Sequence, residues 1–140
     1  MMRARCGKRR LTHFIVGRGY RAAVNFWHTP VMKMTGFPLS TTDWAQLAPA
    51  EHAGERGVAF WRTQNFGEVR VRMMEYSPGY AADHWCSKEH IILCIEGELE
   101  TTLSDGKIFV LTPGMSYQVA DGESSHQSAT KIGAKLFIVD

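Results

Sequence analysis

The stretch Gly79-Tyr80-Ala81-Ala82-Asp83-His84-Trp85-Cys86-Ser87-Lys88-Glu89-His90-Ile91-Ile92-Leu93-Cys94-Ile95-Glu96-Gly97 decides how this chain is read. With Ala81 to Cys86 taken as a strand, side chains two apart share a face, so His84 and Cys86 point the same way. Ser87-Lys88 reads as a turn, and the chain re-enters a strand at His90, which then lies opposite His84. Ile91 to Ile95 is the apolar run of a buried strand, closed by the turn at Glu96-Gly97-Glu98.

On either side, segments rich in β-branched and aromatic residues recur at short intervals: Val58 to Thr63, Val69 to Tyr76, Leu99 to Leu103, Lys107 to Leu111, Ser116 to Val119 and Leu136 to Val139. Turn signals separate them: Asn65-Phe66-Gly67, Ser77-Pro78-Gly79, Ser104-Asp105-Gly106, Pro113-Gly114 and Asp121-Gly122. Glycine supplies positive φ in such turns and proline pre-sets the corner. Regular short strands with turns between them predict an all-β barrel or sandwich. The absence of strand-to-helix alternation excludes Rossmann and TIM-type folds. Arg70-Val71-Arg72-Met73 followed by Met74-Glu75-Tyr76 does not alternate cleanly, which points to a bulge. Ahead of the strands, Thr41-Thr42-Asp43 offers caps for a short N-terminal helix from Trp44 to Leu47, which Pro49 stops.

At 140 residues the chain suits one domain that buries a core without staples. No run approaches the roughly 20 apolar residues that span a bilayer, so no membrane association is expected. Cys6, Cys86 and Cys94 are odd in number and unlike in spacing, and no secretory signal is recognisable, which suits a reducing, cytoplasmic setting. Charge is unevenly placed. Residues 1–33 hold eight Lys or Arg and no acid, whereas the remainder carries 8 − 14 = −6. The basic segment reads as an N-terminal extension, disordered or upstream of a misplaced start codon, with a targeting segment or a binding arm as alternatives. Residues 34–140 read as the folded domain. Its acidic balance argues against a nucleic-acid partner.

His126 follows the Gly114 and Gly122 corners and belongs to a later strand. Three or four of the donors His84, Cys86, His90 and His126, from separate strands of a small barrel, can thus meet inside it. Several imidazoles in a dry interior need a partner such as a metal ion to make their burial tolerable.

These residues resemble the cupin superfamily over approximately residues 55 to 140. The usual first cupin motif runs Gly, five residues, His-x-His, three or four residues, Glu, six residues, Gly. Here it is Gly79, four residues, His84-Trp85-Cys86, three residues, His90, six residues, Gly97. The second motif, Gly, five residues, Pro-x-Gly, two residues, His, is matched by Gly114, five residues, Ala120-Asp121-Gly122, three residues, His126. The resemblance places the family's metal-binding His, His, Glu and His on His84, Cys86, His90 and His126. Cys for His and His for Glu depart from the pattern, yet both replacements are themselves ligands. The Asp-His-Trp-Cys string with Pro113 to Asp121 looks like small bacterial proteins described as DHCW-motif cupins. The resemblance implies a single-domain jelly-roll barrel and a homodimer, and carries no specific activity.

A thiolate among imidazoles suits Zn²⁺, Cu or Fe²⁺ better than Mg²⁺ or Ca²⁺. Four ligands would close the coordination of a Zn²⁺ ion, whereas three histidines without Cys86 would leave an open position. Against this reading stand a hydrogen-bonded core without an ion, Cys86 or Cys94 as small buried hydrophobes, and a Cys86–Cys94 disulfide or redox pair. Asp83 alternates away from His84 and reads as solvent-facing or as a partner behind a ligand. Trp85 reads as shell or subunit interface. Met73, Tyr76, Tyr80, Phe109 and Tyr117 are expected either to fill the core or to line a small-molecule pocket. Three functions follow: a metal-binding module of unknown activity, a dioxygenase-like or isomerase-like metalloenzyme acting on a small molecule, or a structural protein that kept only the fold.

Overall fold

The protein is described here by a computed structural model over residues 35–140. The basic segment 1–33, with the readings placed on it, lies outside the described residues.

These residues form nine strands: β1 (Ala50–Ala53), β2 (Val58–Phe66), β3 (Val69–Tyr76), β4 (His90–Gly97), β5 (Leu99–Leu103), β6 (Ile108–Leu111), β7 (Ser116–Val119), β8 (His126–Ala129) and β9 (Ala134–Val139). They build a six-stranded sheet in the order β1-β2-β3-β9-β4-β7 and a three-stranded sheet in the order β6-β5-β8, antiparallel throughout. The last strand runs between β3 and β4, which makes this a jelly roll and not a meander. Among the described residues, no helix is long and apolar enough to cross a membrane.

Strand registers stack the inward side chains of the large sheet in rows. Trp61, Met74, Leu136 and Cys94 form one, and Arg72, Ile138, Ile92 and Tyr117 the next. Against the first of these the smaller sheet contributes Leu99 and Leu111. Leu99, Leu136 and Cys94 are fully buried. Removing one leucine side chain from water contributes about 1.5–3 kcal/mol, so this row anchors the sandwich. Cys94 is core: its thiol lies 3.5 Å from the Glu96 carbonyl oxygen, and both it and Cys86 are free cysteines.

Four expectations need correction. The short N-terminal helix is a single 3-10 turn, Trp44–Gln46, with Asp43 accepting a bond from the Ala45 amide at 3.0 Å. Leu47 is already extended, and its carbonyl receives Arg62 Nε at 3.1 Å. One turn before Pro49 cannot repay helix nucleation, so the chain leaves for β1. Next, β3 carries no bulge, since its pairings with β2 and β9 run without a shift. The irregularity lies in β4 between Cys94 and Glu96.

Third, Ala81 to Cys86 is not a strand but a loop pinned by isolated bridges at its two ends, Ala81 to Arg56 and Ala129, and Cys86 to His126. The Ala82 amide donates to the Ser128 carbonyl, and Cys86 pairs with His126. A longer step on one side therefore faces a shorter step on the other, and the surplus Asp83-His84-Trp85 arches outward. Fourth, β1 was not foreseen, because Ala-Glu-His-Ala has no strand signature. It is an exposed edge strand paired with β2, with His52 stacked on Trp61 at 3.8 Å.

Candidate metal centre

Three donors converge at one end of the barrel. His90 opens β4, His126 opens β8, and Cys86 is fixed opposite His126 by two backbone hydrogen bonds of 2.8 and 2.9 Å. The Cys86 sulfur and one nitrogen from each ring all lie within 4.8 Å of one another. Both histidines are buried, and Cys86 is half-buried.

The hydrogen bonds determine which nitrogens are free to act. His126 Nδ1 lies 2.8 Å from the Ser124 carbonyl oxygen. A carbonyl only accepts, so Nδ1 carries the proton and, in the neutral ring, Nε2 bears a bare lone pair. That lone pair faces His90 Nε2 at 2.9 Å. Two lone pairs cannot oppose each other at this distance in a dry site, so a proton or a cation must lie between them. Burial, reinforced by the neighbouring His126, pulls the His90 pKa down to about 4. His90 is therefore neutral near pH 7, the form that ligates metals. Tyr117 Oη stands 3.2 Å from the same His90 nitrogen, and burial pushes its phenol up to about 12.

The donor set passes the chemical test for a borderline-soft ion. Two imidazole nitrogens bound to one tetrahedral Zn²⁺ at about 2.0–2.1 Å each stand roughly 3.3 Å apart, a few tenths of an ångström wider than the 2.9 Å between His90 and His126. The half-buried sulfur lies within 4.8 Å of a nitrogen of each ring.

His84 is not brought into this group. It belongs to the outward arch, its side chain is 63% exposed, and its Nδ1 bonds to Asp83 Oδ1 at 2.6 Å. That bond holds the Asp83 carboxyl below the usual range. Its ring lines the same cavity as the three donors without joining them.

That cavity, of about 80 Å³, is bounded by the donors together with Trp61, Arg72, Met74, Tyr76, Tyr80, Ile92, Ser128 and Ile138. Tyr76 and Tyr80, for which the sequence leaves both core and pocket open, line this cavity and stack at 4.2 Å. Phe109 and Tyr117 instead line a separate hollow beside His126, and Met73 lies on the far side of β3 near Trp44. Arg72 and Trp61 were missed. The readable signal was parity, since Arg72 alternates with Met74 and Tyr76 on the inward face of β3.

No known protein-family model matches the sequence, and no curated protein matches it closely. Solved structures do match in shape. A predicted oxalate decarboxylase from Thermotoga maritima is 14% identical, with a TM-score of 0.63, over 71% of this chain and 96% of that one. An RmlC-like cupin from Shewanella frigidimarina is 18% identical, with a TM-score of 0.59, over 73% and 89%. Ectoine synthase from P. lautus is 17% identical, with a TM-score of 0.59, over 72% and 76%. These likenesses show that the fold is that of a small single-domain cupin.

Proposed function

We propose that this cupin-fold domain binds a divalent transition metal, Zn²⁺, Fe²⁺ or Cu, through Cys86, His90 and His126, with His84 outside the coordination. The observation that carries the proposal is the 2.9 Å approach of two buried imidazole nitrogens, one with its lone pair directed at the other. Ser124 holds His126 in the ligating tautomer, while the Cys86–His126 bridge fixes where the thiol stands. Elemental analysis of untagged protein tests the proposal, with Cys86→Ala, His126→Ala and His84→Ala variants beside the wild type. One metal per chain in wild type and His84→Ala, and none in the other two, is the expected pattern. A wild type that takes up no transition metal even after reconstitution overturns it.

A second reading, a metal-dependent dioxygenase-like or isomerase-like enzyme, is favoured by one further observation. Three protein donors facing a cavity leave room for a small molecule, whereas a structural zinc site is closed by a fourth. The ion would supply Lewis acidity to an oxygen-bearing ligand there. The chain's own part is to exclude water and orient that ligand.

The free thiols at Cys86 and Cys94 support a reducing, cytoplasmic setting. A homodimer is also proposed, with a second copy seated on the outer face of the large sheet. Ile91 and Leu93 support it, as neighbouring outward residues of β4 that are both exposed.

A further inference from the structure

We infer that the cavity beside the three donors is built to take a small organic carboxylate, gripped by Arg72 and Trp61. The inference rests on the reading of that cavity as a metal-centred binding site and names the class of molecule that enters it.

Two buried N–H groups have no partner, Arg72 Nε and Trp61 Nε1, and both residues line this one cavity. An unmet donor in a dry site costs on the order of 1–3 kcal/mol, more for a charged group, and native structures carry few of them. Finding two on one wall calls for an acceptor that arrives from outside. They are adjacent by construction: Trp61 pairs with Met74, whose neighbour on the same face of β3 is Arg72. The Arg72 guanidinium carbon also lies 5.1 Å from the Trp61 ring centre. Arg72 is held in place from behind, with Nη2 bonded to the Asp140 carboxylate. That carboxylate already receives Arg70 Nε at 2.9 Å and Arg70 Nη2 at 2.8 Å, so it is not free to turn to Arg72 Nε.

The rest of the lining decides the chemistry of the guest. No carboxylate side chain lines the cavity, so donors outnumber acceptors there. A cation or an amine would find nothing to bond to on the arginine side. A carboxylate offers two acceptor oxygens to these two unmet donors, and its charge complements that of the Arg72 guanidinium. The remaining wall of Met74, Ile92 and Ile138 suits a short hydrocarbon body. A tetrahedral polyanion such as phosphate would need more donors than these to offset its lost hydration. About 80 Å³ admits only a few heavy atoms beyond the carboxylate.

Isothermal titration of full-length, zinc-reconstituted protein with acetate, butanoate and inorganic phosphate tests this, with metal content measured on each sample. Both carboxylates should bind at one per chain and in preference to phosphate. Trp61→Phe keeps the ring and removes the donor, and should weaken binding about threefold to tenfold. Arg72→Lys keeps the charge and removes Nε, and should weaken it roughly tenfold or more. Both variants should retain metal, and far-UV circular dichroism should confirm that both stay folded. Unaltered carboxylate affinity in folded Trp61→Phe overturns the inference, as does preferential binding of phosphate. If the wild type holds zinc yet binds neither carboxylate, the orphan donors are served by water; the inference then fails while the metal reading stands. Loss of metal from the wild type marks the opposite failure, and carboxylate binding that still responds to Trp61→Phe would then support the anion site alone.

Discussion

Cys86 and His126 exchange a reciprocal pair of backbone hydrogen bonds, 2.8 Å from the Cys86 amide and 2.9 Å from the His126 amide, although Cys86 belongs to no strand. This one bridge places a thiol and an imidazole side by side and expels the residues before it. It therefore separates the roles of two neighbouring residues in the sequence, Cys86 and His84.

The separation has a measurable consequence. His90→Ala and His126→Ala should each lower zinc affinity by at least about tenfold, and His84→Ala by no more than about twofold, in competition with a chromophoric chelator. Equal losses in His84→Ala and His126→Ala would show that the arch folds inward when metal is present.

Buried His90 makes metal-free stability depend on pH. With its pKa near 4 in the fold against 6.5 when exposed, His90 resists a proton that the unfolded chain accepts. Stability from this residue is complete above pH 6.5 and is lost as pH falls toward 4, with no further loss from it below. The loss should be roughly 2–3 kcal/mol in urea titrations of metal-free protein. His90→Gln should flatten that slope, and a wild-type profile level between pH 7 and 4 would contradict the assignment.

Gly97 closes the bulge of β4 at φ 76°, and a Cβ there would stand 2.0 Å from the Gly133 carbonyl oxygen. Gly106 has a similar φ of 86° in the β5–β6 turn but meets nothing within 4 Å. Gly106→Ala should therefore cost only the backbone term, about 1 kcal/mol. Gly97→Ala should cost several times that or prevent folding, as thermal denaturation of the two variants side by side would show.

In the core, Leu136 is fully buried between Met74 and Cys94 on the central strand. Leu136→Ala should destabilise by about 2–5 kcal/mol in chemical denaturation. A loss under about 1 kcal/mol would mean that the two sheets close over the gap.

Pairing of two chains should be visible by light scattering, at twice the 15.8 kDa chain mass. Leu93→Arg places a charge on the outer face of β4 without entering the core, and should shift the protein to a monomer. A wild type that elutes as a monomer at all concentrations removes the proposal.

Much of the fold is legible in the sequence because its cause is local. Val69–Tyr76, Leu99–Leu103 and Ser116–Val119 are read with their observed limits. Their β-branched and aromatic residues, together with the Asp105-Gly106 and Pro113-Gly114 turns, act over a few neighbours. The short helix and the strand at Ala81 to Cys86 were misread for a shared reason. In both, the partner that captures the backbone is distant, Arg62 on Leu47 and His126 on Cys86.

The sequence by itself determined an all-β domain and named the side chains that can ligate, since strand-forming pattern and donor chemistry are properties of the residues. Which donors meet was decided only in three dimensions. Strand parity assigns His84 and Cys86 to one face, but parity holds only where a neighbouring strand keeps the backbone regular. The unequal steps between Ala82 and Cys86 and between Ser128 and His126 broke that regularity. Arg72 and Trp61 came to face the same cavity by the same kind of long-range registration, which neither residue's neighbours in sequence reveal.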